Sequence, residues 1–560
     1  MNGELEFVRK FYKTKLSCGK SILELTCYNG VAMWWLSDSL FYDFLLYALK
    51  NDIPISRLHV NTFVKILYQH LPVLSRIYKY FGVYISVIYD ILLYLSSIIL
   101  LNAYKRNESK ISHKKKILIL AKDGQWRTVK DNNSGRLIKT DYFFNPILSE
   151  LNNKYDLVGI YPLGIFPLRG LKIFRDKLKN WFIPHRTLNE FWTLNSSIME
   201  FKSIHHFKRI FNDIKTDPIL KNLCENNNIS YEGTLNELNI YFIILYPHLV
   251  KYIQMARDMI KKEKPSMILL YNEHSRYERA FIIAAKLEGV PTIAFQHGII
   301  HTNHKSYSYT NDEIDLVLDI KFPFSPIADK TLVYGPYYKE FLTSVSSFPE
   351  ESVIITGNPR HDFLYHADKI YSRQDYLEKY KIPHGEKIVL WTTQCADLSE
   401  KENIDSFNTV FQVIEKLDNV VLIIKPHPEE PFIYTKMIQE IIKNYNINAI
   451  IPPKDSDIYE HLNSSDLLIV KDSTTVIEAV ILKKPIIILN LDKKQQFSRY
   501  VDEKIALGAY NAKQLMNSII MLLEDSNVLM GNHGKFIRKY LYKIDGQSVD
   551  RVIEIIDRMI

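Results

Sequence analysis

The sequence predicts an α/β protein made of two Rossmann-like halves that face a cleft, preceded by a helical N-terminal extension. Short β-branched runs alternate with helical patterns over residues 116–356 and again over residues 387–490, as expected of parallel sheets covered by helices. A chain of 560 residues is too long for one compact core, so two or three domains are expected. Hydrophobic residues make up 47% and charged residues 24%, a balance that excludes a largely disordered chain.

Residues 1–111 read as a helical, basic, membrane-associating region. Residues 1–116 hold 16 Lys and Arg against 8 Asp and Glu, while the rest of the chain holds 55 of each. The whole net charge of +8 therefore lies at this end. That argues against a nucleic-acid groove in the main body and favours contact with an anionic surface such as lipid. The opening MNGELEFVRKFYKTK lacks the apolar core of a secretory signal. Cys18, Cys27, Cys224 and Cys395 show no CxxC spacing, which disfavours zinc or disulfides and fits a reducing compartment. The expected location is the cytoplasmic face of the plasma membrane. Residues 81–104 are apolar and long enough to span a bilayer. Asp90 lies among them, however, and a carboxylate at mid-span costs about 2.5–3.5 kcal/mol. Basic residues on both flanks give no orientation, and the preceding stretch 58–80 carries Lys65, Arg76 and Lys79. Helices lying in the interface with snorkelling cations are expected in preference to a span.

The first half is expected over residues 112–365. A polar, basic linker, ESKISHKKK, leads into KILILAK at 116–122, a short buried strand. Further strands are expected at 156–161, 266–271, 291–295, 332–334 and 353–356. Between about 166 and 235 the pattern turns aromatic, basic and helical, an insertion with a structural or acceptor-shaping role. The second half, 366–530, opens at Lys387 with KIVLWTTQ, and further strands are expected at 419–424, 449–451, 466–470 and 486–490. Residues 531–560 read as terminal helices that pack back on the first half. No repeat of about 20–50 residues is evident, which disfavours a solenoid.

Ligands of open α/β sheets bind beyond the carboxyl ends of the strands, and four motifs fall there. In Lys425-Pro426-His427-Pro428 two prolines hold the backbone extended, so that His427 can donate to a phosphate oxygen with Lys425 as a nearby point charge. Ser473, Thr474 and Thr475 precede the helical VIEAVILKK. A hydroxyl there caps the helix, and free first-turn N–H groups would form an anion site. Glu478, on the same helix, is a candidate acceptor for ribose hydroxyls. Gln296, His297 and Gly298 follow the strand PTIAF and would face the cleft from the first half, with Gly298 allowing close approach or a positive φ. Asn358 and Arg360, in TGNPRHD, close the first half as an interdomain hinge wall.

QHG, VYGPYYKEFL, TGNPRHD, KPHP and the DSTT…EA run, in this order, resemble the GT-B transferases of surface polysaccharides. The capsule-synthesis transferases are nearest, with bacterial sialyltransferases, CDP-glycerol glycerophosphotransferases and non-hydrolysing UDP-N-acetylglucosamine 2-epimerases as relatives. The resemblance covers about residues 112–560. It implies an acceptor site in the first half and a nucleotide-donor site in the second, with no metal and no cofactor. It also implies donor-phosphate contacts by His427, Ser473, Thr474 and Thr475.

No His cluster has ligand spacing, and Asp455-Ser456-Asp457 reads as a helix cap. Leaving-group charge then falls to His427, Lys425 and the helix N-terminus. A general base is needed from the opposite wall. Asp123, in the Lys-Asp-Gly loop after the first strand, is the first candidate, with Glu273 and His297 as rivals. The expected function is a membrane-associated glycosyltransferase or sugar-phosphate transferase. It would use a nucleotide-sugar donor and a glycan or lipid-linked acceptor, and no nucleic acid. A 2-epimerase, a CDP-glycerol-type transferase and a non-catalytic glycan-binding scaffold are the alternatives.

Overall fold

The structure is a computed structural model. It describes residues 3–45, 88, 90–104, 114–120, 126–130, 137–161, 167–180, 183–300, 305–314, 324–395, 398–427, 430–471, 473–493 and 499–560.

Among the described residues, thirteen short strands build the two main sheets. The first contains β1 (Lys116–Leu120), β2 (Asp156–Tyr161), β3 (His185–Thr187), β4 (Met267–Leu270), β5 (Thr292–Phe295), β6 (Lys330–Val333) and β7 (Val353–Ile355). Its order is β7-β6-β5-β4-β1-β2-β3, parallel throughout. The second contains β8 (Lys387–Thr392), β9 (Val420–Lys425), β10 (Ala449–Ile450), β11 (Leu467–Val470), β12 (Ile486–Leu489) and β13 (Leu507–Ala509). Its order is β10-β9-β8-β11-β12-β13, again all parallel. Both are doubly wound, and the strand order reverses between β1 and β4 in the first sheet and between β8 and β11 in the second. The strands are buried on both faces, which is why they read as continuous apolar runs such as VVLII and LLIV.

Two of these thirteen strands escape the sequence reading, as do the two-stranded ribbons Cys27–Tyr28 with Val31–Ala32 and Trp126–Lys130 with Leu137–Asp141. β3 has only three residues, HRT, and lies inside the insertion expected to be wholly helical. It closes on β2 because Gly159 leaves room for the His185 ring; a Cβ there would sit 2.4 Å from His185 Nε2. β13, LGA, has no β-branched residue to announce it.

The helix Ser548–Met559 returns to the first half. Val552, Ile553, Ile555 and Ile556 share a core with Ile117, Ile119, Phe144 and Ile147. Just before it, the backbone of Tyr540 approaches Gly335 so closely that a Cβ would lie 2.4 Å away. Two Rossmann-like units joined by such a return form the GT-B organisation.

The N-terminal region divides. Residues 3–45 are not a separate layer but part of the first half's core: Phe11, Trp34, Trp35 and Phe41 are buried with Phe281, Ile282 and Tyr246. Buried Asp38 takes a 2.5 Å bond from Arg279 and lies 3.5 Å from Lys305. Lys305 in turn meets Glu313 at 3.1 Å, and Arg9 reaches Glu313 at 3.3 Å. Breaking a buried pair of this kind costs about 3–5 kcal/mol, so the N-terminal unit clamps the segment 305–314 that follows β5.

Of the apolar stretch 81–104, residues 88 and 90–104 are described, with helix over 90–103. Asp90 does not sit in mid-span. It is buried and paired with Lys251 at 2.9 Å, and the same ammonium meets Glu200 at 2.9 Å. This triad pins the helix to the first half. Among the described residues, no helix is long and apolar enough to cross a membrane.

Candidate active site

The carboxyl ends of β9, β8 and β11 are neighbours, since Thr392 pairs with Lys425 and Trp391 with Ile469. At about 4.8 Å between strands, the loops after β9 and β11 stand roughly 10 Å apart across the switch-point strand. That spacing suits a diphosphate held between them.

His427 follows β9 and is exposed. Its loop is held from behind by Glu430. One Glu430 oxygen accepts from the Cys395 N–H at 2.6 Å, the other from the Thr393 hydroxyl at 2.8 Å, and the Glu430 N–H donates to the His427 carbonyl at 3.0 Å. Burial raises the Glu430 carboxyl above its ordinary pKa. Lys425 differs from the expectation of a cleft-facing charge. It is buried, and its ammonium donates to the carbonyls of Lys454 at 2.7 Å and Pro426 at 3.1 Å. It therefore ties two loops together.

The hydroxyl loop also has a different economy from the one expected. Ser473 Oγ accepts from the Thr475 N–H at 3.2 Å and lies 2.9 Å from the Thr475 hydroxyl. The Val476 and Ile477 N–H groups bond to the carbonyls of Ser473 and Thr474. The first-turn N–H groups are thus already used, and the helix Thr475–Ile481 is short. What the loop offers a phosphate is hydroxyls, above all the exposed Thr474.

Glu478 does not present an open carboxylate for a ribose. It is buried and takes a 3.0 Å bond from Arg360, whose guanidinium also donates to the Tyr459 hydroxyl at 2.9 Å and to that of Tyr142, and stacks on the Tyr142 ring at 3.8 Å. Tyr142 belongs to the first half, Tyr459 and Glu478 to the second. Arg360 is accordingly a bolt between the halves. Asn358 is not a wall of the cleft: it is buried and caps the helix Pro359–Tyr365 by accepting from the Arg360 N–H at 3.2 Å. The glycine before it, Gly357, has φ +77°, and a Cβ there would also strike Ser548 Oγ.

On the opposite wall, Gln296 is buried and braces the loop, with Nε2 donating to the Gly298 carbonyl at 2.7 Å and Oε1 accepting from the Tyr334 N–H at 2.9 Å. Gly298 has no positive φ and no atom within 4 Å of a hypothetical Cβ, so it leaves open space and relieves no strain. His297 is half-buried and stacks on His274, with centroids 4.6 Å apart and planes at 30°; the Tyr271 ring lies 5.0 Å from it. Glu273 is a poor candidate base. It is buried, and its oxygens accept from the Ala328 N–H at 3.0 Å and the Thr331 hydroxyl at 3.0 and 3.1 Å. Burial pushes its carboxyl up to about 7. Asp123 lies outside the described residues.

His274, Tyr142, Tyr459 and Glu430 are contributors that motif reading missed. Among the described residues, no three His, Cys, Asp or Glu side chains gather as metal ligands would. Asp457 caps the helix Ile458–Ser464, accepting from the Tyr459 N–H at 3.0 Å.

Two doubly wound parallel sheets, joined by the returning C-terminal helix, define a GT-B fold. A family model for CDP-glycerol:poly(glycerophosphate) glycerophosphotransferase matches residues 258–558, more than half of the chain. The chain belongs to this family. An uncharacterised protein of Methanocaldococcus jannaschii is 26% identical over 233 residues, 40% of this chain and 37% of that protein, so the match spans little more than a third of the relative's length. Solved structures of similar outline include UDP-N-acetylglucosamine 2-epimerases. That of Neisseria meningitidis, bound to UDP-GlcNAc, has 13% identity, covers 79% of this chain and 100% of that one, and has a TM-score of 0.47. That of M. jannaschii has 13% identity, coverage of 79% and 99%, and a TM-score of 0.48. A glycosyltransferase from Rickettsia africae has 14% identity, coverage of 80% and 99%, and a TM-score of 0.43. The fold assignment rests on the sheet orders and not on these likenesses.

Proposed function

We propose that this chain transfers an alcohol-phosphate or sugar-phosphate group from a nucleotide-activated donor, CDP-linked by preference, to a hydroxyl of a growing surface polymer. The observation that carries this reading is the exposed His427 after β9 opposite the exposed Thr474 after β11, on either side of the switch-point strand. The family's description supports a phosphate-transferring reaction over simple sugar transfer.

In this reading the acceptor oxygen attacks the donor phosphorus distal to the nucleoside. The new P–O bond forms as the bond to the nucleoside monophosphate breaks, and the electron pair leaves on that phosphate. His427 and the Thr474 hydroxyl meet the growing negative charge with hydrogen bonds placed beforehand, and no metal is assigned a part. The acceptor proton goes to His297. Its half-buried ring lies at the end of β5, whereas Glu273 is committed to Ala328 and Thr331.

A thermal-shift panel of CDP-glycerol, UDP-N-acetylglucosamine and CMP- and GDP-linked sugars tests the donor site. At a ligand concentration of about 100 Kd, a binder adds about 2.7 kcal/mol. CDP-glycerol is expected to shift the midpoint most, and His427→Ala to remove the shift while leaving the unliganded midpoint in place. If no nucleotide moves the midpoint, the donor site is wrong. A leading UDP-sugar shift with sugar incorporated into polymer would move the reading to glycosyl transfer.

A further inference from the structure

Arg499 opens the short helix Arg499–Asp502 that follows β12 in the second half, and it is half-buried. Aromatic rings surround its charge. The guanidinium carbon lies 5.3 Å from the Tyr540 ring centroid and 5.9 Å from that of Tyr500. The hydroxyl of buried Tyr338 is beside it as well: burial pushes that hydroxyl up to about 12, while Arg499 and Gln296 pull it down.

Among the described residues, no carboxylate forms an ion pair with Arg499. Glu503, one turn along the chain, is taken by Lys539 at 2.8 Å and by the Tyr540 hydroxyl. Arginines at other joins of this molecule are matched: Arg279 by Asp38 at 2.5 Å, Arg360 by Glu478 at 3.0 Å and Arg551 by Asp545 at 3.0 Å. Ring faces offset part of the cost of drawing a guanidinium out of water, and a bound anion would offset more.

Position says which anion. Tyr500 donates from its hydroxyl to the Ser473 carbonyl at 3.4 Å, so Arg499 stands next to the loop that carries Thr474. On its other side, Tyr338 belongs to the helix Pro336–Glu340 of the first half and adjoins Gln296, which braces the loop of His297. Arg499 is therefore placed between the hydroxyl loop of one wall and the base loop of the other. The lysines of the donor loops do not compete for this place, since Lys471 is held by Asp492 at 3.0 Å and Lys425 by two carbonyls.

We propose that Arg499 binds the phosphate distal to the nucleoside, the group in transit, and so selects donors that carry a diphosphate. This rests on the phosphate-transfer reading of the cleft. The attacked phosphorus is the one nearer the acceptor wall, and a planar guanidinium offers two parallel N–H donors to two of its oxygens. The same donors meet the charge that those oxygens carry as the P–O bond to the nucleoside monophosphate breaks. A CMP-linked donor has no distal phosphate and gains nothing from Arg499.

Calorimetric titration of the full-length protein with CMP and with CDP-glycerol tests the assignment. Arg499→Gln is expected to leave the CMP affinity within about twofold of the parent and to weaken CDP-glycerol about tenfold or more. Arg499→Lys keeps a cation among the rings but loses the fork; it should show the same pattern to a smaller extent, and it makes the comparison should the glutamine variant not fold. Undiminished CDP-glycerol affinity in both variants overturns the proposal. Equal losses for CMP and CDP-glycerol overturn it too, because Arg499 would then only hold the two walls together. A parent that binds neither nucleotide, or that binds UDP-sugars alone, fails the phosphate-transfer reading itself and takes this assignment with it.

Discussion

Arg360→Met removes the bolt between the halves, and its cost follows from the neighbours it leaves. Glu478 loses a 3.0 Å ion pair in a buried site, and the Tyr459 hydroxyl loses a 2.9 Å bond. Stranding one member of a buried pair costs about 3–5 kcal/mol. The guanidinium stacked 3.8 Å from the Tyr142 centroid contributes about 1–2 kcal/mol more. Methionine fills much of the same space, so packing loss is a lesser part. The deficit should depend on pH. Without the cation, burial raises the Glu478 carboxyl, so protonation relieves the strain as pH falls and the penalty is greatest above neutral pH. Urea unfolding at pH 8 and pH 5.5, followed by tryptophan fluorescence, measures this. Glu478→Gln in the Arg360→Met background should recover most of the loss, giving a coupling of about 2–3 kcal/mol in the double-mutant cycle. A deficit below about 1 kcal/mol, or strict additivity of the two substitutions, would refute the bolt.

Two further outcomes are expected. Glu430→Ala should weaken nucleotide binding about tenfold by releasing the His427 loop from Cys395 and Thr393, whereas Glu430→Gln keeps most of the affinity; equal calorimetric affinities for the alanine variant and the parent would remove Glu430 from the site. Stability should fall in acid. Burial lowers His248, His361 and His461 to about 3 in the folded protein, below the ordinary value of about 6.5. The unfolded chain therefore takes up protons first, and the stability present above pH 6.5 is lost on the way down to pH 3, at up to about 1.4 kcal/mol per pH unit per histidine. His461→Gln should flatten that slope in denaturation curves between pH 7 and 4; an unchanged slope would show that His461 is not one of the groups responsible.

The strands were legible because buried parallel strands are unbroken apolar runs, and Asp156–Tyr161 falls where the residues DLVGIY place it. Short edge strands with no such run, HRT and LGA, were not. Site motifs were visible as residue types but not as partnerships. Nothing near KPHP tells that Lys425 will be caged by the Lys454 carbonyl 29 residues away. Nor does TGNPRHD show that Arg360 will hold Glu478, 118 residues on. The apolar 81–104 stretch signalled an interface, but Asp90 found its counter-ion 161 residues later, which local hydropathy cannot register. His274 had one faint signal, a second titratable side chain beside Glu273 at a strand end; only the sheet brings it against His297.

The return of Ser548–Met559 to the first half has a consequence for biosynthesis. Lys154 and Tyr155, just before β2, each meet Asp557 at 2.6 Å, and four apolar residues of this helix complete the core around β1. During translation the first sheet, complete at Ile355, emerges well before the helix from Ser548 that seals it. Until then an apolar flank stays open, and the second half must fold in the interval. Ribosome-bound chains ending before residue 548 should therefore need a chaperone on that flank, and the halves cannot be cut apart and expressed as two self-sufficient proteins.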